Sequence, residues 1–197
     1  YEISECLVGS EMCIRDSSQT EQKLIENVCT AFHQKGKKVI VILNTCGVLE
    51  TFSWKEQPDA ILVAWLAGQE GGNAVTDILT GTVTPSGKLP MTWPVNYEDV
   101  PSASNFPLAG HKESIDSTRY EEGLFVGYRY YDTFGKPVSY PFGYGLSYTT
   151  FDYGNLSIEK KEDVVEISCR IINSGNRAGK EVVPVSYTHL TLPTTSR

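Results

Sequence analysis

The stretch that decides the fold is Pro58–Pro94, PDAILVAWLAGQEGGNAVTDILTGTVTPSGKLPMTWP. It opens with the uninterrupted apolar run Ala60–Trp65, which is typical of a strand buried on both faces of a parallel sheet. A glycine-rich loop, Gly68–Gly72, follows, and Asn73 is placed to cap a short helix that ends at Gly81. The order strand, glycine loop, helix and extended exit predicts a βαβ-type unit whose functional edge lies at the loop.

The residues before this stretch add a helix and a second buried strand. Helical spacing of apolar residues predicts a helix over Glu21–Gln34, with Thr20 as its N-cap and Gly36 at its C-terminus. The β-branched run Val39–Leu43 predicts a parallel strand, and Val48–Gln57 predicts a short helix or irregular crossover. The predicted fold class is therefore α/β, a partial α/β sandwich with a mostly parallel sheet.

The sequence after residue 94 changes character twice. Val95–Thr118 has no periodicity, which is typical of a long irregular excursion, and the aromatic, β-prone run Leu124–Tyr131 predicts a strand. From residue 151 onward, alternating residues predict short strands at 155–158 and 164–172, a turn at Asn173–Asn176 and another strand at Glu181–Val183. Such a truncated all-β piece should be marginally stable alone.

Three blocks of the sequence resemble glycoside hydrolase family 3. AWLAGQEGGNAVTDILTGTVTPSGKLPMTWP (64–94) and YEEGLFVGYRYYDTFGKPVSYPFGYGLSYTTFDY (120–153) are similar to the family's C-terminal α/β domain and the region after it. INSGNRAGKEVV (172–183) resembles the start of its fibronectin-III-like domain. The resemblance implies a retaining, exo-acting hydrolase of β-linked glucosides or xylosides that is periplasmic or secreted, uses no cofactor and takes an oligosaccharide or glycoside substrate.

Both ends of the chain read as translated sequencing adaptor. CLVGSEMCIRDS (6–17) and PVSYTHLTLPTTSR (184–197) carry the two adaptor patterns, and the first residues match an outer primer. We therefore expect residues 1–17 and 184–197 to be adaptor-derived and not structural. Between them, 18–150 is predicted to be an N-terminally truncated family 3 α/β domain, and 151–183 the start of a fibronectin-III-like β-sandwich. The expected origin is a truncated gene from a metagenomic shotgun assembly.

The catalytic carboxylates are expected outside this chain. As the resemblance implies, the aspartate nucleophile comes from a preceding TIM-type barrel. The glutamate acid/base lies just upstream of the helix that begins at Glu21, where the head now stands, and Glu2, Glu5 and Glu11 belong to that head. We therefore predict no catalytic residue in this chain and leave its substrate-binding residues unknown. The fragment is predicted to be inactive, with substrate bound through the missing barrel.

Three acidic residues bear on that expectation. Glu70 stands beside the start of a predicted helix, where the helix dipole favours a carboxylate, and the alternative interpretation is a catalytic acid. Glu121 and Glu122 are adjacent, and neighbouring side chains of an extended segment point to opposite faces. They therefore cannot form the facing pair that glycoside hydrolysis needs, although one of them could hold Arg119 or Arg129.

Composition and spacing argue against several other classes of function. The formal net charge is −7 without a basic cluster, which argues against nucleic acid; the head carries −3 and the tail +1, which leaves −5. No stretch approaches the roughly 20 apolar residues of a membrane span. Cys29, Cys46 and Cys169 lack metal-ligand spacing and are predicted to be small buried or half-buried residues, with no metal site. His33 and His111 are predicted at the surface.

The aromatic segment Tyr140–Tyr148 keeps a second function class open. Its rings could stack on sugars, or they could pack two domains together with Phe142 and Leu146 buried. A non-catalytic carbohydrate-binding or structural module is therefore the alternative to a glycosidase fragment. A self-contained binding module would need a complete β-sandwich, whereas this chain is predicted to be mainly α/β.

Overall fold

The computed structural model of the chain describes residues 18–103, 121–162 and 164–184. Its first element is helix α1, Gln19–His33. Ser18 and Glu21 form a reciprocal capping box. The Glu21 N–H donates to Ser18 Oγ over 3.2 Å, and the Ser18 N–H donates to Glu21 Oε2 over 2.8 Å. Ser18 is therefore the N-cap and the predicted Thr20 is wrong, because only Ser18 has a glutamate three positions on. Gly36 follows the helix in the left-handed region, with φ of 65°, as predicted.

Strands β1, Ile40–Leu43, and β2, Ala60–Val63, pair in parallel with their first residues opposite each other. Both predicted strands are present. The burial predicted for each is wrong: in β1, Ile40 is 48% and Ile42 is 43% exposed, and in β2, Ala60 is exposed and the other three residues are only half-buried. Among the described residues this sheet has two strands, so each is an edge, and a two-stranded sheet is too narrow to be enclosed. The parallel pair is the part of the predicted sandwich that the structure contains.

Helix α2, Gly71–Leu79, follows β2 and begins earlier than predicted, with Glu70 as its N-cap. Asn73, the predicted cap, lies inside the helix, where its Nδ2 donates to Glu70 Oε2 over 2.6 Å. Gly81 follows the helix with φ of 76°, as expected for a residue that ends a helix in the left-handed region. None of the helices in the described part is both long and apolar enough to cross a membrane.

The strand predicted over Leu124–Tyr131 is wrong, because residues 124–127 form turns and irregular structure and a helix begins at Tyr128. Helix α3, Tyr128–Phe134, lies between Gly127 and Gly135, whose φ angles are 56° and 59°. The β preference of aromatic residues reflects packing on a half-buried sheet, and tertiary packing overrides it here. Tyr131 is 4% exposed, and its burial raises the pKa of its hydroxyl to about 12.

Strand β4, Val138–Tyr140, pairs antiparallel with the short strand β3, Trp93–Pro94. The hydroxyls of Thr51 and Ser139 are both buried and hydrogen-bond to each other over 2.9 Å, so neither carries an unsatisfied polar group into the interior. The buried apolar side chains of the described residues include Cys29, Val39, Trp54, Trp93, Pro94 and Tyr131.

The chain divides into two compact units. The first holds the described residues up to Val83 together with those within Leu89–Tyr144. The second holds Thr84–Lys88 and the described residues from Gly145 onward. The predicted domain boundary lies between residues 150 and 151. It assigns residues 84–88 to the α/β domain, whereas the structure groups them with the second unit. The first unit contains α1 to α3 and both small sheets named above.

The second unit is built on an antiparallel hairpin of β5, Phe151–Lys161, and β6, Val164–Asn173. The strands predicted at 155–158 and 164–172 lie within it, and a bulge interrupts the register between Gly154 and Ser157. The strand predicted at Glu181–Val183 is wrong, because these residues are irregular. In its described part the second unit has two strands, which do not make a sandwich, so the fibronectin-III-like assignment stays a prediction.

Candidate functional site

The loops after β1 and β2 lie at the carboxyl edge of the parallel pair, which is where ligands bind in open α/β sheets. The Ala64 N–H donates to Leu43 O over 2.9 Å, so the two loops leave the sheet side by side. In the first loop, Thr45 Oγ1 donates to Gly47 O over 2.9 Å and accepts from the Gly47 N–H over 3.2 Å. We take this edge as the candidate functional site.

Trp65 begins the second loop in a strained conformation. Its φ is 52°, in the left-handed region that bulky residues rarely adopt. Such strain costs on the order of 1–3 kcal/mol and persists only where surrounding contacts hold it. The ring of Trp65 meets Trp93 edge-on, with centroids 6.2 Å apart and an interplanar angle of 77°. The contact with a buried partner holds the indole at the edge of the sheet.

Trp93 is the centre of an aromatic cluster, which we call the Trp93 cluster and define as Trp65, Trp93, Tyr140 and Tyr144. Trp93 meets Tyr140 edge-on at 6.1 Å, and Tyr140 lies 5.0 Å from Tyr144 between ring centroids. The Lys55 ammonium lies 4.9 Å from the Tyr140 ring, and burial raises the pKa of the Tyr140 hydroxyl. Trp93 is buried and Tyr140 is half-buried, so the centre of the cluster packs within the first unit, whereas Tyr144 is 39% exposed.

The rest of the predicted segment Tyr140–Tyr148 divides in two. Phe142 is half-buried and stacks on Tyr128, with centroids 5.1 Å apart and planes 28° apart. Leu146 is 76% exposed, so its predicted burial is wrong in this chain. It comes after Gly145, where the chain has already entered the second unit.

Glu70 is an exposed carboxylate at the N-cap of α2, and Asn73 is its hydrogen-bond donor. The helix dipole stabilises a negative charge in that position. The interpretation of Glu70 as a residue beside a helix N-terminus is therefore the one that the geometry supports.

Glu121 and Glu122 differ in their surroundings. Glu121 is exposed, whereas Glu122 is half-buried and its Oε2 atom has no hydrogen-bond partner among the described residues. Unequal burial fits the prediction that neighbouring side chains point to opposite faces. Arg129 does not pair with either glutamate in the described part, and its own buried Nε has no partner there. Arg119, the other predicted partner, lies outside the described residues, as does His111.

A polar cluster joins the end of α1 to the start of β2. Asp59 Oδ2 lies 2.9 Å from His33 Nε2 and accepts from the Val39 N–H over 2.8 Å, while Asp59 Oδ1 accepts from Lys38 Nζ over 2.6 Å. Cys29 lies nearby, and its burial, with the charge of Asp59 adding, raises the pKa of its thiol. A protonated thiol is a poor nucleophile. The cluster therefore clamps two elements together and has no catalytic arrangement, and His33 is held in it at the surface.

We predict that Asp59 makes the stability of the first unit depend on pH. Hydrogen bonds from Lys38, Val39 and His33, in that order, hold the pKa of the Asp59 carboxyl well below its usual range. Stability from such a group is fully present above its unfolded pKa, about 3.9, and is lost as the pH falls through the folded value. The unmodified chain should therefore melt higher than Asp59→Asn at about pH 6, and the difference should shrink below about pH 3.9. An equal difference at both pH values would contradict this role.

Two of the three cysteines predicted to be buried or half-buried are exposed. Cys29 is buried, as expected, but Cys46 and Cys169 are exposed, and all three are free. Cys46 lies in the turn after β1 and Cys169 on an uncovered hairpin, so neither has a layer packed over it. No group of three or more histidine, cysteine or acidic side chains in the described ranges is arranged to hold a metal ion.

Comparison with known proteins places the chain in a family. Residues 10–128 match the glycosyl hydrolase family 3 C-terminal domain. The chain is 41% identical over 169 residues to thermostable beta-glucosidase B of Acetivibrio thermocellus, covering 84% of this chain and 21% of that protein. It is 38% identical over 182 residues to an exo-alpha-(1->6)-L-arabinopyranosidase of Bifidobacterium longum, covering 90% of this chain and 23% of that protein.

A comparison with solved structures also finds a beta-glucosidase. Beta-glucosidase 3B from Thermotoga neapolitana, in complex with alpha-D-glucose, superposes with a TM-score of 0.76 at 49% identity over 83% of this chain and 23% of that one. The fold and these matches together show that the chain belongs to the glycoside hydrolases. More narrowly, the chain belongs to glycoside hydrolase family 3, within the region of its C-terminal domain. It spans about a fifth of the length of the curated relatives it matches.

The family match bears on the expected adaptor segments. It begins at residue 10, so residues 10–17 of the predicted head are aligned with the family domain. Those residues lie outside the described part of the chain, as does the tail from residue 185. The boundaries 1–17, 18–150, 151–183 and 184–197 therefore stay predictions.

Proposed function

We propose that the chain is the C-terminal α/β part of a retaining, exo-acting hydrolase of β-linked glucosides or xylosides, and that it lacks the catalytic pair itself. The observation that carries the proposal is the 49% identity to a glucose-bound beta-glucosidase over most of this chain at a TM-score of 0.76. The chain spans only 23% of that protein. An activity of the whole protein therefore depends on parts that this chain does not include.

The surroundings of the acidic residues support the second half of the proposal. Retention requires two carboxyl groups about 5 Å apart that face one glycosidic bond. Glu70 is exposed and bonded to Asn73, while Glu121 and Glu122 differ in burial as side chains on opposite faces do. We therefore assign none of the three to a nucleophile paired with an acid/base. Loss of both groups would remove both steps of the double displacement.

The purified chain is predicted to release no aryl alcohol from an aryl β-glucoside or β-xyloside between about pH 4 and pH 8, a range that spans the ordinary and the raised pKa values of glutamate. Glu70→Gln is the matched control, because it removes the carboxylate but keeps an acceptor for Asn73. Turnover that survives purification and is lost in Glu70→Gln would mean that a carboxylate site exists within the chain.

A chimaera tests the substrate class in the same assay. Residues 18–183 would replace the matching region of the Thermotoga neapolitana enzyme, whose other parts supply what this chain lacks. Hydrolysis of aryl β-glucoside or β-xyloside by the chimaera supports the proposal. Folding without hydrolysis of either would contradict it and favour the alternative, a non-catalytic carbohydrate-binding or structural module. An aryl α-L-arabinopyranoside belongs in the panel as a second candidate substrate, because the Bifidobacterium relative is named for that sugar.

A further inference from the structure

The segment Thr84–Lys88, TPSGK, belongs to the second unit although α2 and β3, its neighbours in sequence, belong to the first. It contacts the later part of the chain closely. Thr84 Oγ1 donates to Ala178 O over 2.9 Å. Gly145 lies so near that a Cβ on it would stand 2.4 Å from Gly87 O, which is closer than real Cβ atoms come. The segment therefore packs backbone against backbone with residues that follow it by more than fifty positions.

Lys88 is the charged end of this segment. Its Nζ donates to Gly145 O over 2.6 Å and lies 3.2 Å from Glu181 Oε1. The two charged side chains are only 16% and 9% exposed. Glu181 Oε1 also accepts from the Tyr153 hydroxyl over 2.8 Å, and this hydrogen bond raises the pKa of Tyr153. One carboxylate thus connects the segment at 84–88 to strand β5.

We propose that Lys88, Glu181 and Tyr153 form a latch, which makes the second unit a discontinuous folding unit. A two-stranded hairpin is marginal in water. The β5–β6 hairpin is therefore stable only while residues 84–88 are bound to Ala178 and Glu181, since Glu181 in turn holds Tyr153 of β5. Removing one member of a nearly buried ion pair is costly, because the other charge is left without its partner. The latch concerns the folding of the second unit and is independent of the proposed hydrolase function.

Hydrogen exchange on the full chain tests the latch with Lys88→Met, which keeps much of the aliphatic stem and removes the charge. Amides of β5 and β6 should exchange at least about tenfold faster, as expected when a buried charge loses its partner. Amides of β1 and β2, in the first unit, should keep their rates. Lys38→Met is the matched control: the Lys38 side chain is 81% exposed and its ammonium pairs with Asp59 in the first unit, so β5 and β6 should not change.

A second pair of variants keeps the test decisive if Lys88→Met fails to fold. Glu181→Gln retains an acceptor for Tyr153 but removes the ion pair, and it should also accelerate exchange in β5 and β6 alone. Lys88→Met with Glu181→Gln should lie closer to the unmodified chain than Lys88→Met does, since no unpaired charge remains. Less than a twofold change in β5 and β6 for both single variants, or equal acceleration in β1 and β2, would overturn the latch.

Discussion

Replacing Trp93 by alanine is expected to lower the unfolding free energy of the first unit by about 3–5 kcal/mol, the usual cost of deleting a buried aromatic side chain. Trp93 is 1% exposed, and its ring meets Trp65 and Tyr140 with centroids 6.2 and 6.1 Å away. The substitution would leave a cavity between those rings. It would also release Trp65, whose strained φ of 52° depends on its surroundings. Urea unfolding followed by circular dichroism measures the loss as a lower midpoint.

Leu124→Ala is the control for that experiment. Leu124 belongs to the first unit but is 73% exposed, so its truncation should change the free energy by no more than about 0.5 kcal/mol. Equal shifts of the midpoint in the two variants would mean that Trp93 does not occupy the interior. The conclusion that the Trp93 cluster forms part of the core of the first unit would then be wrong.

Gly145→Ala is expected to disrupt the second unit by at least about 1–3 kcal/mol, the usual cost of overpacking. The new Cβ would stand 2.4 Å from Gly87 O and 3.0 Å from the Lys88 side chain. The first of these atoms belongs to the backbone, which cannot rotate away as a flexible side chain can. Residues 84–88 would have to move, and the Lys88 ammonium would leave Glu181. Faster hydrogen exchange in β5 and β6, with β1 and β2 still protected, is the expected result.

Gly154→Ala provides the matched glycine control. Gly154 lies in β5, has no heavy atom within 4 Å of its would-be Cβ, and does not have a positive φ. Alanine there should be neutral, or stabilising by about 0.4–1 kcal/mol through a less flexible unfolded chain. A similar loss of protection in both variants would show that close approach at Gly145 is not the cause.

Much of the first unit could be predicted because its signals are local. The apolar runs at 39–43 and 60–65 indicated two parallel strands, and the structure pairs them from Ile40–Ala60 to Leu43–Val63. The glycines at 36 and 81 marked two helix ends, because the residue after a helix often adopts the left-handed conformation, which glycine adopts most easily. Ser18 could have been found as well, since serine followed three positions later by glutamate is a capping box.

The helix α3 shows where local signals fail. Its aromatic residues favour a strand by composition, but that preference reflects the surface they pack on rather than the backbone itself. Gly127 and Gly135, both with positive φ, bound a short helix that places Tyr131 in the interior. The choice between strand and helix was therefore made by packing, which composition does not encode.

By itself the sequence determined the family, two parallel strands, the first two helices and the position of Glu70 beside a helix start, because neighbouring residues encode all of these. Tertiary structure alone decided which distant groups meet. The buried Thr51–Ser139 hydrogen bond joins residues 88 positions apart, and the Thr84–Ala178 bond joins residues 94 apart. A polar group can satisfy its hydrogen bonds with many partners, and only the packed chain brings one of them within about 3 Å and excludes the water that would otherwise replace it.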